Sequence, residues 1–318
     1  MFNIVRNEWM KIFKRPATYV MIAMLMLIIG IVGAVLKYDM RNQPNGAGNE
    51  KWQQNIETQL KESQAQLKNL ENGPKDQYEF FHKDVALKEY QLEHNIPPES
   101  PSVWTFVNEA SNVVLFAGLF VIIVAAGIVS SEFNWGTIKL LLIRPISRGK
   151  FLLAKYLTVL LFALLMLTIS FGFSSILGLI LFGTPDTHVP YLNYQDGKVS
   201  EQNMVLHLII LYGLKSISML MLATMAFMIS AVFRNSSLAI GISIFLLFAG
   251  GQLTALLAAK FEWAKYLLFA NTELIQYFEG TPMVEGMTLS FSVVMLFIYF
   301  ILFHGLAYFV FRRRDVAA

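Results

Sequence analysis

Six apolar runs, each long enough to cross a bilayer as a helix, dominate the sequence. They occupy residues 17–36, 112–130, 151–182, 204–233, 237–259 and 287–311. About 20 mostly apolar residues span the ~30 Å of membrane hydrocarbon, and within it a chain of this kind satisfies its backbone as helices. Charged residues make up 15% of the chain, against roughly 25% in soluble domains. We therefore expect an all-α polytopic membrane protein with six transmembrane helices.

Basic residues are concentrated in the segments at one end of these runs. The amino-terminal segment 1–16, the loop 131–150, the short turn before residue 237 and the tail 312–318 contain twelve of them: Arg6, Lys11, Lys14, Arg15, Lys139, Arg144, Arg148, Lys150, Arg234, Arg312, Arg313 and Arg314. The opposite loops 183–203 and 260–286 contain Lys198, Lys260 and Lys265. Because cytoplasmic loops carry the excess of Lys and Arg, both termini are predicted to be cytoplasmic, in the plasma membrane of a bacterium.

The segment 37–111 is polar and is predicted to form a helical hairpin outside the cell. Apolar residues recur there at helical spacing in two stretches: Trp52, Ile56, Leu60, Leu67 and Leu70, then Tyr78, Phe81, Val85 and Leu92. Gly73-Pro74 separates the two helices. The hairpin could gate a substrate or recognise a peptide; the alternative, which the sequence favours, is a solvated cap that packs on itself or on a second copy.

The sequence contains none of the common catalytic motifs. It has no phosphate-binding G-x-x-x-x-G-K-[ST] loop, no H-E-x-x-H pair and no G-x-S-x-G turn. Its five histidines are scattered singly, and it has no cysteine. We expect a chain that is not an enzyme, that binds no metal or cofactor itself, and that has membrane lipid rather than nucleic acid as a neighbour.

Lys215 is the exception among the apolar runs. It lies near the middle of the fourth predicted span, where a lone ammonium costs about 2.5 to 3.5 kcal/mol even on the lenient insertion scale. One hypothesis makes it an anion-contacting residue on a translocation path, with Glu109, Glu273 or Glu279 as a carboxylate that reaches it. The other makes it a snorkelling lysine at a helix or subunit interface.

The loop 131–150 carries the most distinctive pattern. Gly136-Thr137 predicts a turn into a short helix, and Arg144-Pro145 ends it because proline cannot extend the hydrogen-bond ladder. Ser147 is a candidate cap for the third span. Such a short amphipathic helix, tied to two spans, could receive a push from a soluble partner, or it could simply anchor on anionic lipid.

This loop resembles the signature of one transporter family. The string Glu132-x-x-x-Gly136-Thr137-Ile138-Lys139-x-x-Leu142-x-Arg144-Pro145-x-Ser147-Arg148-x-Lys150, followed by Lys155, is similar to the E-x-x-x-G-T-x-K-x-x-L-x-x-P-x-x-R pattern of type-2 ABC transporter permeases. The resemblance implies that the loop is a coupling helix that docks on a separate ATP-binding subunit. The residues implied in this coupling are Glu132, Gly136, Thr137, Lys139, Arg144, Pro145 and Arg148. Residues 1–16 resemble the amphipathic elbow helix of the same family.

The resemblance also implies a function and partners. The chain would be the non-catalytic permease subunit of an exporter of peptide, antibiotic or lipid-like substrates. ATP and magnesium would bind the partner ATPase, and a second permease copy or a related permease would complete the transporter. The segment 37–111 is longer than the loop usual in that family. A membrane sensor of extracellular ligands, without transport of its own, is the alternative.

Overall fold

The computed structural model describes residues 1–42, 52–70, 75–98, 101–137, 147–185, 190–195, 197–233, 235–280 and 282–313. Its helices, numbered in chain order, are α1 (Phe2–Phe13), α2 (Pro16–Asn42), α3 (Trp52–Asn69), α4 (Lys75–Glu93), α5 (Val103–Ala110), α6 (Val114–Gly127), α7 (Ser130–Asn134), α8 (Arg148–Phe182), α9 (Met204–Val232), α10 (Ser236–Ala258), α11 (Leu268–Thr272), α12 (Gln276–Glu279) and α13 (Leu289–Arg313). Two strands, β1 (Tyr191–Gln195) and β2 (Lys198–Gln202), lie between α8 and α9.

Six helical segments are long and apolar enough to cross a membrane. In order they are α2, α5 with α6, α8, α9, α10 and α13, and they are called the first to sixth spans below. The fold is that of an all-α polytopic membrane protein, as the apolar runs predict. Ser147 accepts a hydrogen bond from the backbone N–H of Lys150 and so caps the third span, which confirms its predicted role.

The second span begins at Val103, earlier than the residue 112 predicted from the sequence. Ser102 starts it, because its side chain and that of Thr105 form a reciprocal capping box. Glu109 and Asn112 interrupt the apolar run, so the sequence places the start too late. The span is not one continuous α-helix, since a 3-10 turn at Ser111–Val113 joins α5 to α6.

The second span is the most buried of the six. It packs against the third, fourth and fifth spans. Near its start, the buried ring of Phe106 lies over Gly33 of the first span and Gly178 of the third. A Cβ atom at either glycine would meet this ring, so the three helices approach closely only because these positions lack side chains.

The predicted helical hairpin is present as α3 and α4. Ser63 donates a hydrogen bond to Asp84 (2.6 Å), and Lys88 contacts both Ser63 and Asp84. One expectation needs correction: the segment 183–203 is not simply a loop in an all-helical chain, because it contains the antiparallel pair β1–β2. Alternation over five residues is too short to be distinguished from a loop by pattern alone.

The strand pair contacts α4 of the helical hairpin through side-chain hydrogen bonds. The Tyr194 hydroxyl lies 2.9 Å from Nδ1 of His82, and the Tyr90 hydroxyl donates to Glu201 at 3.4 Å. We call this end of the bundle, formed by α3, α4, β1 and β2, the hairpin face. The other end, where α1 contacts α8 and the start of α8 contacts the end of α13, is called the terminal face.

Candidate functional site

Four charged side chains form a closed ring of ion pairs at the terminal face. Glu8 and Lys11 come from α1, Glu132 from α7 and Lys155 from α8. Lys155 Nζ lies 2.6 Å from Glu8 Oε2 and 2.9 Å from Glu132 Oε1. Lys11 Nζ lies 2.8 Å from Glu8 Oε1 and 3.0 Å from the same oxygen of Glu132. We call these four residues the ion-pair ring; its formal charge is zero.

Three members of the ring are almost fully buried. Glu8, Glu132 and Lys155 are 3%, 5% and 1% exposed. Buried charges persist only where they are paired and hydrogen-bonded, and here both carboxylates accept from both ammonium groups. The ring therefore fixes the relative positions of α1, α7 and α8.

The ring also supports a break in the helix that leaves the second span. This helix ends at Gly127, and α7 begins at Ser130. Lys155 Nζ donates to the carbonyl oxygen of Ile128 at 2.8 Å. On the other side of the break, Ser230 Oγ of the fourth span accepts from the backbone N–H groups of Val129 and Ser130. Two neighbouring helices thus satisfy the main-chain groups that the break releases.

Glu132 holds the start of the loop that follows. Its second carboxylate oxygen accepts a hydrogen bond from the hydroxyl of Thr137. Burial by itself raises the pKa of Glu132, but the charge of Lys155 and the hydrogen bonds from Thr137, Lys155 and Lys11 lower it to about 2. For Lys11, burial lowers the pKa, and its two carboxylate partners outweigh that effect and raise it. Both groups are therefore charged at neutral pH.

Gly136 makes the turn between α7 and the loop. Its φ of 68° lies in the left-handed region, which residues with a Cβ atom adopt at a cost of roughly 1–2 kcal/mol. A Cβ atom there would meet no neighbour within 4 Å. The glycine is required by backbone conformation and not by packing. The chain does turn at Gly136, but the short helix that this turn was predicted to begin lies outside the described residues.

Aromatic contacts surround the base of the loop. The guanidinium of Arg15 lies 4.9 Å from the ring centre of Trp135, a cation–π contact. The ring of Phe311, near the end of the sixth span, packs against Phe133 and Phe151. The segment that leads into the loop thus contacts Arg15, just before the first span, and Phe311 of the sixth span, which in turn packs on the third span.

The structure brings together some of the residues predicted for coupling and leaves others apart. Glu132, Gly136 and Thr137 lie together beside the ring. Arg148 lies elsewhere on the terminal face, where it donates to the carbonyl of Arg312 at 2.8 Å. The predicted short helix and its residues Lys139, Arg144 and Pro145 fall outside the described residues.

The partners of Glu132 were missed by the sequence analysis. The sequence pattern includes Lys155 only at the end of the string and assigns no role to Glu8. A signal for Glu8 did exist: it falls on the apolar stripe of α1, one turn from Ile4 and one turn from Ile12. A carboxylate on a buried stripe requires a basic partner.

Lys215 of the fourth span contacts the 3-10 turn that interrupts the second span, toward the hairpin face. Its Nζ donates to Ser111 Oγ at 2.7 Å and to Asn112 Oδ1 at 3.0 Å, both in the 3-10 turn. These three side chains and Glu273 line a cavity of about 390 Å³ between the second, fourth and fifth spans. Of the three acids proposed to reach Lys215, Glu273 lines its cavity. The structure places no second basic side chain among the cavity residues.

Within the part of the chain that the structure describes, no cluster of three or more His, Cys, Asp or Glu side chains could hold a metal ion.

Comparisons with known proteins place this architecture in a family without an assigned activity. The model of the family described as "Protein of unknown function (DUF2705)" matches residues 77–317. "Uncharacterized protein YhcI" of Bacillus subtilis (strain 168) is 50% identical over 320 residues, which cover 100% of each chain. "Uncharacterized membrane protein YdbK" of the same organism is 32% identical over 207 residues, 64% of this chain and 79% of that protein.

Proposed function

This chain belongs to the DUF2705 family, and on that premise we propose that it is the transmembrane permease subunit of an ATP-binding cassette exporter. A separate ATP-binding subunit binds ATP and magnesium and hydrolyses the nucleotide, so this chain is non-catalytic. The terminal face is cytoplasmic in this proposal, and the hairpin face is extracellular. The basic residues of segments 1–16, 131–150 and 312–318 support that orientation.

The observation that carries the proposal is the position of the ion-pair ring. The ring lies at the base of the loop 131–150, where the resemblance to type-2 ABC permeases puts the surface that meets the ATPase. A force applied to this loop can move the spans only if the residues between them are held in fixed positions. Glu132 and Thr137 connect the loop to Lys155, and Lys155 connects it to both the second and third spans.

The break at Val129 is the point where such a force would bend the chain between α7 and the second span. The second span lies at the centre of the bundle and lines the cavity beside Lys215. Displacement of α7 would alter the hydrogen bonds at the break and so change the angle at which the second span leaves the bundle. Two permease chains, as a homodimer or with a related permease, would form the path for a peptide, antibiotic or lipid-like substrate.

The test is capture of an ATP-binding subunit. We would first ask whether a neighbouring gene encodes a lone ABC ATPase, then co-express that ATPase with the chain and measure co-purification and substrate export. Gly136→Val strains the turn without a steric clash, because a Cβ atom there meets nothing; Arg144→Glu reverses a charge within the predicted coupling helix. Both should reduce capture at least tenfold while the chain still inserts into the membrane.

Lys198→Glu is the matched control, because Lys198 is an exposed lysine on the hairpin face. This variant should capture the ATPase as the unmodified chain does. Normal capture and export by both Gly136→Val and Arg144→Glu would refute the assignment of the loop.

The alternative function, a sensor of extracellular ligands, has one specific feature in its favour. A cavity of about 260 Å³ lies between the helical hairpin and β1, and Ile56, Leu87, Ile96, Tyr191 and Leu192 contribute its apolar lining. Ligand binding there would change the contact between hairpin and strands. Under this alternative, deletion of residues 52–93 would abolish the response to a ligand and leave ATPase capture unchanged.

A further inference from the structure

The cavity beside Lys215 has a polar end, which is formed by the fourth span and by the 3-10 turn of the second span. The 3-10 turn at Ser111–Val113 directs Ser111 and Asn112 toward Lys215 of the fourth span. An ammonium at this depth is costly in hydrocarbon, and such residues mark ion or substrate sites. The polar end of the cavity therefore carries a fixed positive charge.

A carboxylate lies on the outer side of the same cavity. Glu273 directly follows α11, is exposed and contributes to the lining. Two residues further on, Ile275 packs against a buried cluster that includes Leu211 and Tyr212; these two residues lie about one turn from Lys215 toward the hairpin face. Along the cavity, the negative charge is thus nearer the hairpin face and the positive charge is deeper.

Beyond Lys215 the cavity is apolar. Leu222 lies about two helical turns past Lys215 toward the terminal face, and Ile122 and Leu247 complete this part of the wall. Leu115, which also lines the cavity, is 50% exposed on the apolar second span. The volume of about 390 Å³ is within the range of small-molecule sites.

We propose that this cavity binds a zwitterionic amphiphile whose anionic group contacts Lys215, whose protonated amine contacts Glu273 and whose hydrocarbon chain lies along the apolar wall. The order of the three environments matches the order of groups in such a molecule. A head group with only negative charge would be repelled by Glu273, and one with only positive charge would be repelled by Lys215. Because Leu115 is exposed on an apolar span, the proposed site is open to ligands already in the membrane.

The test is direct binding of lysophosphatidylethanolamine, which carries a phosphate, an amine and one hydrocarbon chain. Native mass spectrometry of the full chain in detergent gives the bound fraction as a function of lysolipid concentration. We expect saturable binding of one molecule per chain. Lys215→Gln should weaken binding at least tenfold, and Lys215→Arg should retain it. Lys260→Gln replaces an exposed lysine just after the fifth span and should leave binding unchanged.

Glu273→Gln separates the two halves of the head group. This variant should bind lysophosphatidylethanolamine more weakly than the unmodified chain and lysophosphatidylglycerol, which has no amine, more strongly. Thermal unfolding of each variant, measured without lysolipid, identifies any loss of binding that comes from misfolding, and the Lys215→Arg variant then decides the role of the charge.

Equal binding by the unmodified chain, Lys215→Gln and Lys260→Gln would mean non-specific partition of lysolipid and would overturn the proposal. A second occupant, another copy of this chain, is tested with Leu115→Cys, because the sequence has no native cysteine. Disulfide-linked dimers without lysolipid binding would show that a second copy fills the cavity, which also overturns the proposal. No ATP-binding subunit is present in these assays, so their outcome is independent of whether the chain is a permease.

Discussion

Replacement of Lys155 by methionine should be among the most damaging single changes to the stability of this protein. The substitution removes three hydrogen bonds at once: those to Glu8, Glu132 and the carbonyl oxygen of Ile128. It also leaves two buried carboxylates with Lys11 as their remaining partner in the ring. Removal of one member of a buried ion pair costs about 3–5 kcal/mol, because the opposing charge stays buried without compensation.

The matched control is Lys150→Met. Lys150 lies near the start of the same helix and is exposed, so its replacement should change the free energy of unfolding by less than about 0.5 kcal/mol. Reversible unfolding in mixed micelles, followed by tryptophan fluorescence, measures both variants. A further variant with Glu8→Gln, Lys155→Met and Glu132→Gln together should recover much of the loss, since no unpaired charge remains buried.

The pH dependence of unfolding gives a second measure of the same ring. Folding lowers the pKa of Glu132 from 4.5 to about 2, so its stabilising contribution is complete above pH 4.5 and is lost as the pH falls toward 2. That contribution is about 3 kcal/mol. In Lys155→Met the charge and hydrogen bond of Lys155 no longer lower the pKa of Glu132, whereas the hydrogen bonds from Thr137 and Lys11 remain, so acid should weaken this variant less steeply than the unmodified chain.

Equal stability of Lys155→Met and Lys150→Met at neutral pH would refute the reasoning. It would mean that the ring is hydrated or that its members lie apart. The same conclusion would follow if acid weakened Lys155→Met as steeply as the unmodified chain.

Two further predictions concern packing and the break in the second span. Gly250→Ala should destabilise the chain by about 1–3 kcal/mol, because a Cβ atom would meet the ring of Phe269, whereas Gly251→Ala meets nothing and should be neutral or slightly stabilising in the same unfolding assay. Ser230→Ala should cost about 1–3 kcal/mol, because it leaves two buried main-chain N–H groups without their acceptor. Ser243→Ala is its control, because this equally buried serine only donates to a carbonyl of its own helix. Its replacement should change the unfolding free energy by less than about half of the change caused by Ser230→Ala.

The sequence is sufficient to predict the elements whose signal is local. The six apolar runs, the two stripes of the helical hairpin and the cap at Ser147 each follow from neighbouring residues. The start of the second span does not, because polar Glu109 and Asn112, both exposed, interrupt the apolar run at that point. The strand pair at Tyr191–Gln202 was also missed, since five-residue strands give a weak pattern.

The ion-pair ring depends on contacts that the sequence does not encode locally. Glu8 and Lys155 are separated by 147 positions, and their pairing becomes visible only when α1 lies across α8. The turn at Gly136-Thr137 was predicted, but its attachment to Lys155 through Glu132 was not. Pattern analysis thus found the part of the site that is contiguous in the chain and missed the residues that hold it in place.

The ring has a consequence for how this family diversifies. Its four positions come from two distant parts of the chain, and the family match at residues 77–317 includes Glu132 and Lys155 but not Glu8 and Lys11. Because loss of one charge costs more than loss of all, a lineage that exchanges one member passes through an unstable ancestor unless a second change accompanies it. Relatives should therefore retain the four charges together or have replaced them together. A chimaera that joins the α1 helix of a relative with the charges to the remaining chain of a relative without them should fail to fold.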